Sequence, residues 1–265
     1  MKEFILRYQR QIILQGFGIE AQEKLSKANV LVIGVGGLGC PILQYLVAAG
    51  VGHIGIVDQD IISLPNLNRQ VLFGQEDVGK YKVEVASAKL SSLNNLVCIS
   101  TYQQKCDQAL AIKHFPNYDI IVDATDNFAS RYLINDACLL FNKPLVFGAV
   151  AQFEGQVAVF NVQKNGLKLS YRDLFPTPPK NDEVMSCAEG GVLGVLPGII
   201  GVMQATEVIK LISGVGELLA NQILTYNALS QEIYKIELIK NSTAEIEVPK
   251  TVSAFSALNY EWLCS

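Results

Sequence analysis

A glycine-rich hexapeptide is the sequence feature with the clearest chemical use. Residues 34–39 read GVGGLG; they follow the apolar run 29–33 and precede apolar residues at helical spacing. Glycines let backbone N–H groups at the start of a helix approach a phosphate. Asp58 ends the next strand-like run, where a carboxylate can bind a ribose. The nucleotide-binding residues predicted from this pattern are Gly34, Gly36, Gly37, Gly39 and Asp58.

A polar segment after Asp58 bears on which nucleotide chemistry is present. Its candidate residues are Asp60, Asn66, Arg69 and Lys82. Arginine and lysine beside a nucleotide suit phosphoryl or nucleotidyl transfer, because negative charge builds up on phosphate oxygens in the transition state. The alternative is that Arg69 and Lys82 are ordinary surface charges. The glycine loop alone does not separate ATP from NAD.

A second polar motif, DATDN at 123–127, follows the fourth predicted strand. Ligands bind at this edge of an open α/β sheet. A carboxylate beside phosphates can hold Mg²⁺, which makes Asp126 a candidate metal ligand and Asn127 a candidate nucleotide contact. The alternative is that Asp126 or Asn127 caps the helix predicted from 128. The two roles are compatible.

The histidine content bears on a competing interpretation, an NAD-binding oxidoreductase. Such an enzyme needs an acid–base group beside the transferred hydride, and the chain has only His53, which starts a strand, and His114, which ends a helix. Arg69 and Lys82 also argue against it. A catalytically silent scaffold is a second alternative, but it would lack the phosphate-contacting residues that this chain has.

Strand-like and helix-like runs alternate over the first 150 residues and must position these side chains. Strands are predicted at 29–33, 53–57, 97–101, 118–122 and 144–150. Helices are predicted at 8–27 (interrupted at Gly16 and Gly18), from 39, at 81–94 and at 128–141. The alternation predicts an α/β fold, a Rossmann-like and mainly parallel sheet with helices on both faces.

The pattern changes after residue 150. Strands are predicted at 156–162, 222–226 and 232–238, with an apolar helix at 196–212 that stops at Gly214. The segment 163–190 is predicted to be a long loop, and the tail from 241 is weakly patterned. The later strands are expected to extend the sheet with antiparallel strands at its C-terminal end, within one domain.

Composition excludes several classes of protein. The 265 residues are 50% hydrophobic and 17% charged, which excludes a disordered chain. The net charge of −4 with no basic block argues against nucleic-acid binding. The longest uncharged apolar run, Gly190 to Met203, is too short for a membrane span, and no secretory signal is visible. Six scattered cysteines suggest reduced thiols, so a cytoplasmic protein is expected.

Seven motifs in order carry a resemblance to a known family. They are RYQRQI at 7–12, GVGGLG at 34–39, VDQD at 57–60, PNLNRQ at 65–70, KVE at 82–84, DATDN at 123–127 and SCAEGGVLG at 186–194. The chain resembles the ThiF/MoeB/HesA group, prokaryotic relatives of the ubiquitin-activating enzymes, from about residue 4 to 240.

The resemblance implies roles for individual residues. Gly37 and Asp58 would hold ATP, with Asp58 on the ribose. Asn66, Arg69 and Lys82 would contact the phosphates, and Asp126 would hold Mg²⁺. In a homodimer, Arg10 would reach the γ-phosphate of ATP bound to the partner subunit. Cys187 matches a family cysteine that takes up the carrier in some members, and its alternative is a small buried hydrophobe.

The resemblance also implies the reaction, ATP-dependent adenylation of the C-terminal glycine of a small ubiquitin-like sulfur-carrier protein, before thiocarboxylate formation. An adenylating enzyme acting on a peptide or a tRNA is an alternative. The expected organisation is a helical arm (1–28), a nucleotide-binding half (29–150), a carrier-docking half (151–240) and a tail (241–265). Molybdopterin, thiamine, cysteine and tRNA-thiolation carriers all remain open, with a leaning towards the molybdopterin type.

Two departures from the family pattern shape the expected cofactors and partners. Many members bind a structural zinc through two C-x-x-C pairs, which this chain lacks, so no zinc is expected. No sulfurtransferase-like domain follows residue 250. A separate sulfur donor, either a sulfurtransferase or a desulfurase, is therefore expected.

Overall fold

The computed structural model describes residues 2–176, 190–241 and 248–260. Its parallel strands are β1 (Asn29–Ile33), β2 (His53–Val57), β3 (Cys98–Tyr102), β4 (Ile120–Asp123) and β5 (Leu145–Ala151). They lie in the order β5-β4-β1-β2-β3, with every neighbouring pair parallel. The strand order reverses at β1, which places a crevice beside the carboxyl ends of β1 and β4.

Further strands extend the sheet beyond β5. They are β6 (Glu154–Phe160), the short hairpin strands β7 (Gln163–Lys164) and β8 (Leu167–Lys168), which stand apart, β9 (Gln222–Asn227) and β10 (Ile233–Glu237). β6 pairs with β5, β9 with β6 and β10 with β9, all antiparallel. The eight-stranded order is β10-β9-β6-β5-β4-β1-β2-β3, so the predicted fold class is confirmed.

Helices cover both faces of the sheet. They are α1 (Lys2–Ile12), α2 (Gly18–Lys27), α3 (Gly39–Ala49), α4 (Lys82–Leu93), α5 (Gln108–His114), α6 (Phe128–Leu140), α7 (Tyr171–Leu174), α8 (Leu196–Ser213) and α9 (Val252–Ala257). Short 3₁₀ helices lie at Leu64–Asn66, Gln75–Asp77 and Phe115–Asn117. The predicted interruption of the first helix is confirmed between α1 and α2.

Strand β1 shows how the two faces are assigned. Val30 and Val32 belong to one core, with side chains from α3, α4 and α8. Leu31 and Ile33 belong to a second core, with side chains from α5, α6 and α9. Successive residues of a strand point to opposite faces, so an unbroken apolar strand must be covered on both sides.

Helix α8 is long and apolar enough to cross a membrane by length and composition, and half of it is buried. It carries the ion-paired residues Glu207 and Lys210 and packs against α3, β5 and β6. Gly214, in the left-handed conformation at φ 76°, ends it where the sequence predicts. We therefore interpret α8 as a core helix of the sheet.

The segment predicted as a long loop is partly folded, so that prediction is wrong for its first part. Asn165 (φ 53°) and Gly166 (φ 79°) form the tight turn between β7 and β8, and α7 follows. Asn-Gly is the preferred sequence for such a turn, and this signal was available in the sequence. Residues 177–189, which include Cys187, lie outside the described residues.

The tail is also more ordered than its pattern indicates. Thr251 caps α9 by accepting a hydrogen bond from the backbone N–H of Ala254 (3.1 Å). Phe255 and Tyr260 are buried in the second core. Helix α5, another short helix, ends at His114 as predicted. These short helices gain stability from the apolar side chains that they bury, which local periodicity does not reveal.

Candidate active site

A cavity of about 810 Å³ opens where the sequence analysis places the site. Segments at the carboxyl ends of β1, β2, β3 and β4 line it, together with Val150 near the end of β5 and residues 191, 192 and 197. The predicted site residues that line it are Gly34, Gly36, Gly37, Asp58, Asp60, Asn66, Arg69, Lys82, Asp126 and Asn127. The structure therefore brings together side chains from five separate segments.

The glycines of the loop differ in what requires them. A Cβ on Gly34 (φ +98°) would lie 2.7 Å from the backbone oxygen of Ala124, and one on Gly39 would lie 2.0 Å from the oxygen of Gly34. These two glycines permit close backbone packing, and Gly39 is not among the cavity-lining residues. Gly36 has open space at the cavity, with Gln70 Nε2 at 4.0 Å as the nearest atom. Gly36 therefore allows a ligand to approach the backbone.

Asp58 connects the glycine loop to the end of β2. Its Oδ2 accepts a hydrogen bond from the N–H of Val35 (2.7 Å), and its Oδ1 accepts one from the N–H of Asp60 (2.8 Å). Burial raises the pKa of Asp58, while the charge of Lys82 and these backbone hydrogen bonds oppose the rise. Asp58 therefore holds the loop in shape from the position predicted for ribose binding.

Lys82 is buried at the start of α4 and is not a surface charge. Its Nζ lies 2.7 Å from Asp60 Oδ2 and 4.0 Å from Asp58 Oδ2. A cation at the positive end of a helix is unfavourable, and the two carboxylates compensate for it here. A phosphate that approached Lys82 would compete with Asp60 for the ammonium group.

Asn66 is the last residue of the 3₁₀ helix at 64–66, and Arg69 follows it. Arg69 Nη1 donates to the backbone oxygen of Pro65 and to Oδ1 of Asn68, both at 3.1 Å. Its partners are neutral oxygens, so its positive charge remains available at the cavity wall. Asn66 Oδ1 accepts from the N–H of Ser63 (3.1 Å), which fixes the turn.

The helix-cap alternative holds for one residue of the DATDN motif. Asn127 Oδ1 accepts a hydrogen bond from the N–H of Ser130 (2.9 Å), so Asn127 caps α6. Asp126 is exposed at the cavity. An exposed carboxylate beside a candidate phosphate site fits a Mg²⁺ ligand.

Besides Gly39, two further predicted residues are not placed at the cavity. Arg10 is exposed on α1 and is not one of the described residues that line it. Cys187 lies outside the described residues, although Gly191, four positions later, lines the cavity. Burial raises the pKa of the Cys40 thiol to about 12, and it also raises the pKa values of Cys106 and Cys138. These three buried thiols are poor nucleophiles.

The sequence analysis assigned no role to two polar residues whose positions depend on the fold. Gln70 lines the cavity from a buried position, and its Oε1 has no partner. Arg131, in the first turn of α6, also lines the cavity and is 7% exposed. A basic residue soon after a predicted helix start, where the helix dipole disfavours it, was the available signal for Arg131.

Comparison with known proteins identifies similar chains. The ThiF family model matches residues 8–248. The sulfur carrier protein adenylyltransferase of Thermus thermophilus is 48% identical over 242 residues, which is 91% of this chain and 89% of that protein. The probable adenylyltransferase/sulfurtransferase MoeZ of Mycobacterium tuberculosis is 43% identical over 264 residues, 99% of this chain and 66% of MoeZ.

Solved structures share the fold. A crystal structure of E. coli MccB with ATP superposes with a TM-score of 0.76 at 25% sequence identity. The superposition covers 90% of this chain and 73% of MccB.

Proposed function

The chain belongs to the ThiF family and is an adenylyltransferase, and we propose that it uses ATP to adenylate the C-terminal glycine of a small ubiquitin-like sulfur-carrier protein. The observation that carries this proposal is the convergence of Arg69, Lys82 and Asp126 on one cavity beside the glycine loop. The likeness to the Thermus thermophilus enzyme supports the choice of a sulfur carrier as substrate.

The proposed reaction needs no general base. A C-terminal carboxylate has a pKa of roughly 3.3–3.7, so it is ionised at neutral pH. One of its oxygens attacks the α-phosphorus of ATP, and the bond from that phosphorus to the oxygen bridging to the β-phosphate breaks. The bonding electrons leave with pyrophosphate, and the product is an acyl-adenylate.

The positions of the two histidines favour nucleotidyl transfer over hydride transfer. His53 forms hydrogen bonds with Asn29 Oδ1 (3.2 Å) and Ser100 Oγ (2.9 Å), and the ring of His114 packs against that of Tyr102 at a tilt of 46°. Neither is among the described residues that line the cavity. A site that relies on positioning and on positive charge does not require an acid–base histidine.

Different residues around the cavity would bind different parts of ATP. The loop at Gly36 and Gly37 offers backbone N–H groups to phosphates, and Asp58 is placed for the ribose. Asn66, Arg69 and Lys82 would neutralise charge on the phosphates. Asp126 would hold Mg²⁺, which supplies further neutralisation of phosphate charge when bound.

The remaining assignments are also part of this proposal. We propose that the chain binds no structural zinc, because its sequence lacks the two C-x-x-C pairs. We propose one adenylation domain in a cytoplasmic homodimer, in which Arg10 completes the partner's site. Exposed Leu6, Ile13 and Leu14 offer apolar area for such an interface. Sulfur would come from a separate donor, and Cys187 is a candidate for transfer.

ATP–pyrophosphate exchange with purified carrier proteins tests the function. Exchange should depend on both a carrier and Mg²⁺, and a carrier with an added C-terminal residue that is not glycine should serve as the negative control. Exchange with a peptide or a tRNA, but with no carrier, would support the alternative adenylating enzymes. NAD binding without pyrophosphate exchange would contradict the proposal.

A further inference from the structure

Arg131 is buried at the wall of the cavity with most of its hydrogen-bonding capacity unused. Its Nη2 donates one long hydrogen bond to the backbone oxygen of Thr125 (3.4 Å), and its buried Nε has no partner. A guanidinium group carries five N–H donors, and buried donors are nearly always bonded. This arrangement indicates a group that is completed by a ligand.

The surroundings keep this cation fixed without neutralising it closely. The rings of Phe128 and Phe147 lie 5.2 and 5.6 Å from the guanidinium carbon. In the described part of the chain, no carboxylate oxygen lies within 4.0 Å of Arg131. The nearby Asp123 uses Oδ1 to accept hydrogen bonds from the N–H and hydroxyl of Thr125, and its Oδ2 is unpartnered.

The strand order indicates which part of the bound substrates Arg131 can contact. In the order of the strands across the sheet, Asp58 follows β2, the glycine loop follows β1, and Arg131 lies on the helix that follows β4. Val150, on β5, also lines the cavity. Arg131 therefore lies on the side of the phosphate loop away from the ribose position. An anion at that place is next to the phosphates and is not part of the nucleoside.

We propose that Arg131 binds the C-terminal carboxylate of the carrier protein and holds it for attack on the α-phosphate. This inference rests on the proposed function. The planar guanidinium offers adjacent donors that match the two oxygens of a carboxylate, which a lysine does not. The nearby rings of Phe128 and Phe147 restrict the movement of the guanidinium, which favours one orientation of the bound carboxylate.

The test compares two forms of the carrier that supports pyrophosphate exchange. One form has its natural C-terminal carboxylate, and the other is semi-synthetic with a C-terminal carboxamide. With a non-hydrolysable ATP analogue present, wild-type protein should bind the carboxylate form roughly 10- to 100-fold more tightly. Arg131→Gln should lose this preference and keep its affinity for the ATP analogue, and Arg131→Lys should retain part of it.

Arg172→Gln is the matched control, because Arg172 is also a buried arginine but is bonded to Asp136 at two 2.7 Å contacts. It should keep the carboxylate preference. If Arg131→Gln retains that preference, or loses carrier and ATP-analogue affinity to the same extent, the inference is wrong. Asp123→Asn, which keeps Arg131, provides a second check, since its carboxylate preference should persist. Failure of the proposed function is distinguishable, since wild-type protein itself would then show no carrier-dependent exchange.

Discussion

Helix α6 carries two buried polar regions that are satisfied to very different extents. At its first turn, Arg131 and neighbouring Asp123 each have a buried polar atom with no partner. Further along, Asp136 accepts two hydrogen bonds from Arg172 (2.7 Å each) and one from the hydroxyl of Tyr260 (2.8 Å). Arg131 of the unsatisfied region lines the cavity, whereas no residue of the satisfied region is among the described residues that line it.

The difference separates ligand binding from structural support. The Asp136 region joins α6 to α7 and to the tail, and every charge in it has a partner. It therefore fixes three distant segments without needing a ligand. At the first turn of α6, polar groups lack hydrogen-bond partners. This lowers stability but leaves donors for a substrate. Substitutions in the two regions should consequently affect different measurements.

The largest expected effect comes from breaking the satisfied region. Arg172→Leu leaves Asp136 as a buried charge without its cation, which should destabilise the protein by about 3–5 kcal/mol. Urea unfolding followed by circular dichroism measures this loss. Asp136→Leu combined with Arg172→Leu should be less destabilising than Arg172→Leu alone. A single variant as stable as wild type would contradict the prediction.

The next largest effect is expected for a substitution at the cavity. Arg69→Ala should slow adenylation by roughly 10²–10³-fold, about 2.7–4 kcal/mol, because a fixed positive charge at the phosphates is lost. The free energy of unfolding should change little, since Arg69 bonds only to neutral oxygens nearby. Lys80→Ala is the control, as this exposed cation is not among the residues that line the cavity. Normal pyrophosphate release by Arg69→Ala would disprove the role.

A smaller effect is expected from a substitution in the Asp136 region. Tyr260→Phe removes one hydrogen bond to a charged group and should lower stability by about 1.5–3 kcal/mol while adenylation at saturating substrate stays normal. Tyr234→Phe, on exposed strand β10, is a control for the loss of a hydroxyl. If Tyr260→Phe reduced adenylation without reducing stability, the two regions would be coupled instead of separate.

The smallest effect is expected for the N-cap of α6, which also lines the cavity. Asn127→Ala removes the cap of α6 and should cost about 1 kcal/mol of stability, and Asn127→Ser should restore most of it because serine also caps helices. If capping is the only role, Asn127→Ser should also restore adenylation. Recovered stability with continued loss of adenylation would instead support the predicted nucleotide contact.

The sequence predicted elements whose signals are local. The runs 29–33 and 53–57 coincide with β1 and β2, because apolar β-branched residues form buried strands and glycine and polar residues follow them. The sequence also placed Asp58 and Asp126 at the site, because each follows a predicted strand and the loops at the carboxyl ends of parallel strands meet at one edge.

The missed features depend on residues far apart in the chain. Arg172 lies 36 positions from Asp136, and Tyr260 lies 124 positions from it. The guanidinium carbon of Arg131 lies 5.6 Å from the ring of Phe147, which belongs to another element. Such pairings have no periodic signal, so sequence patterns alone could not identify them.

The burial of Phe255 and Tyr260 against α6 has a consequence for how the protein is made. During synthesis on the ribosome, the parallel strands emerge well before the residues that complete the second core. Until residue 260 has left the exit tunnel, Asp136 lacks one of its partners and the apolar surface beneath α9 is uncovered. The second core is therefore completed only after residue 260 has emerged, and binding by chaperones in that interval would protect this surface from aggregation.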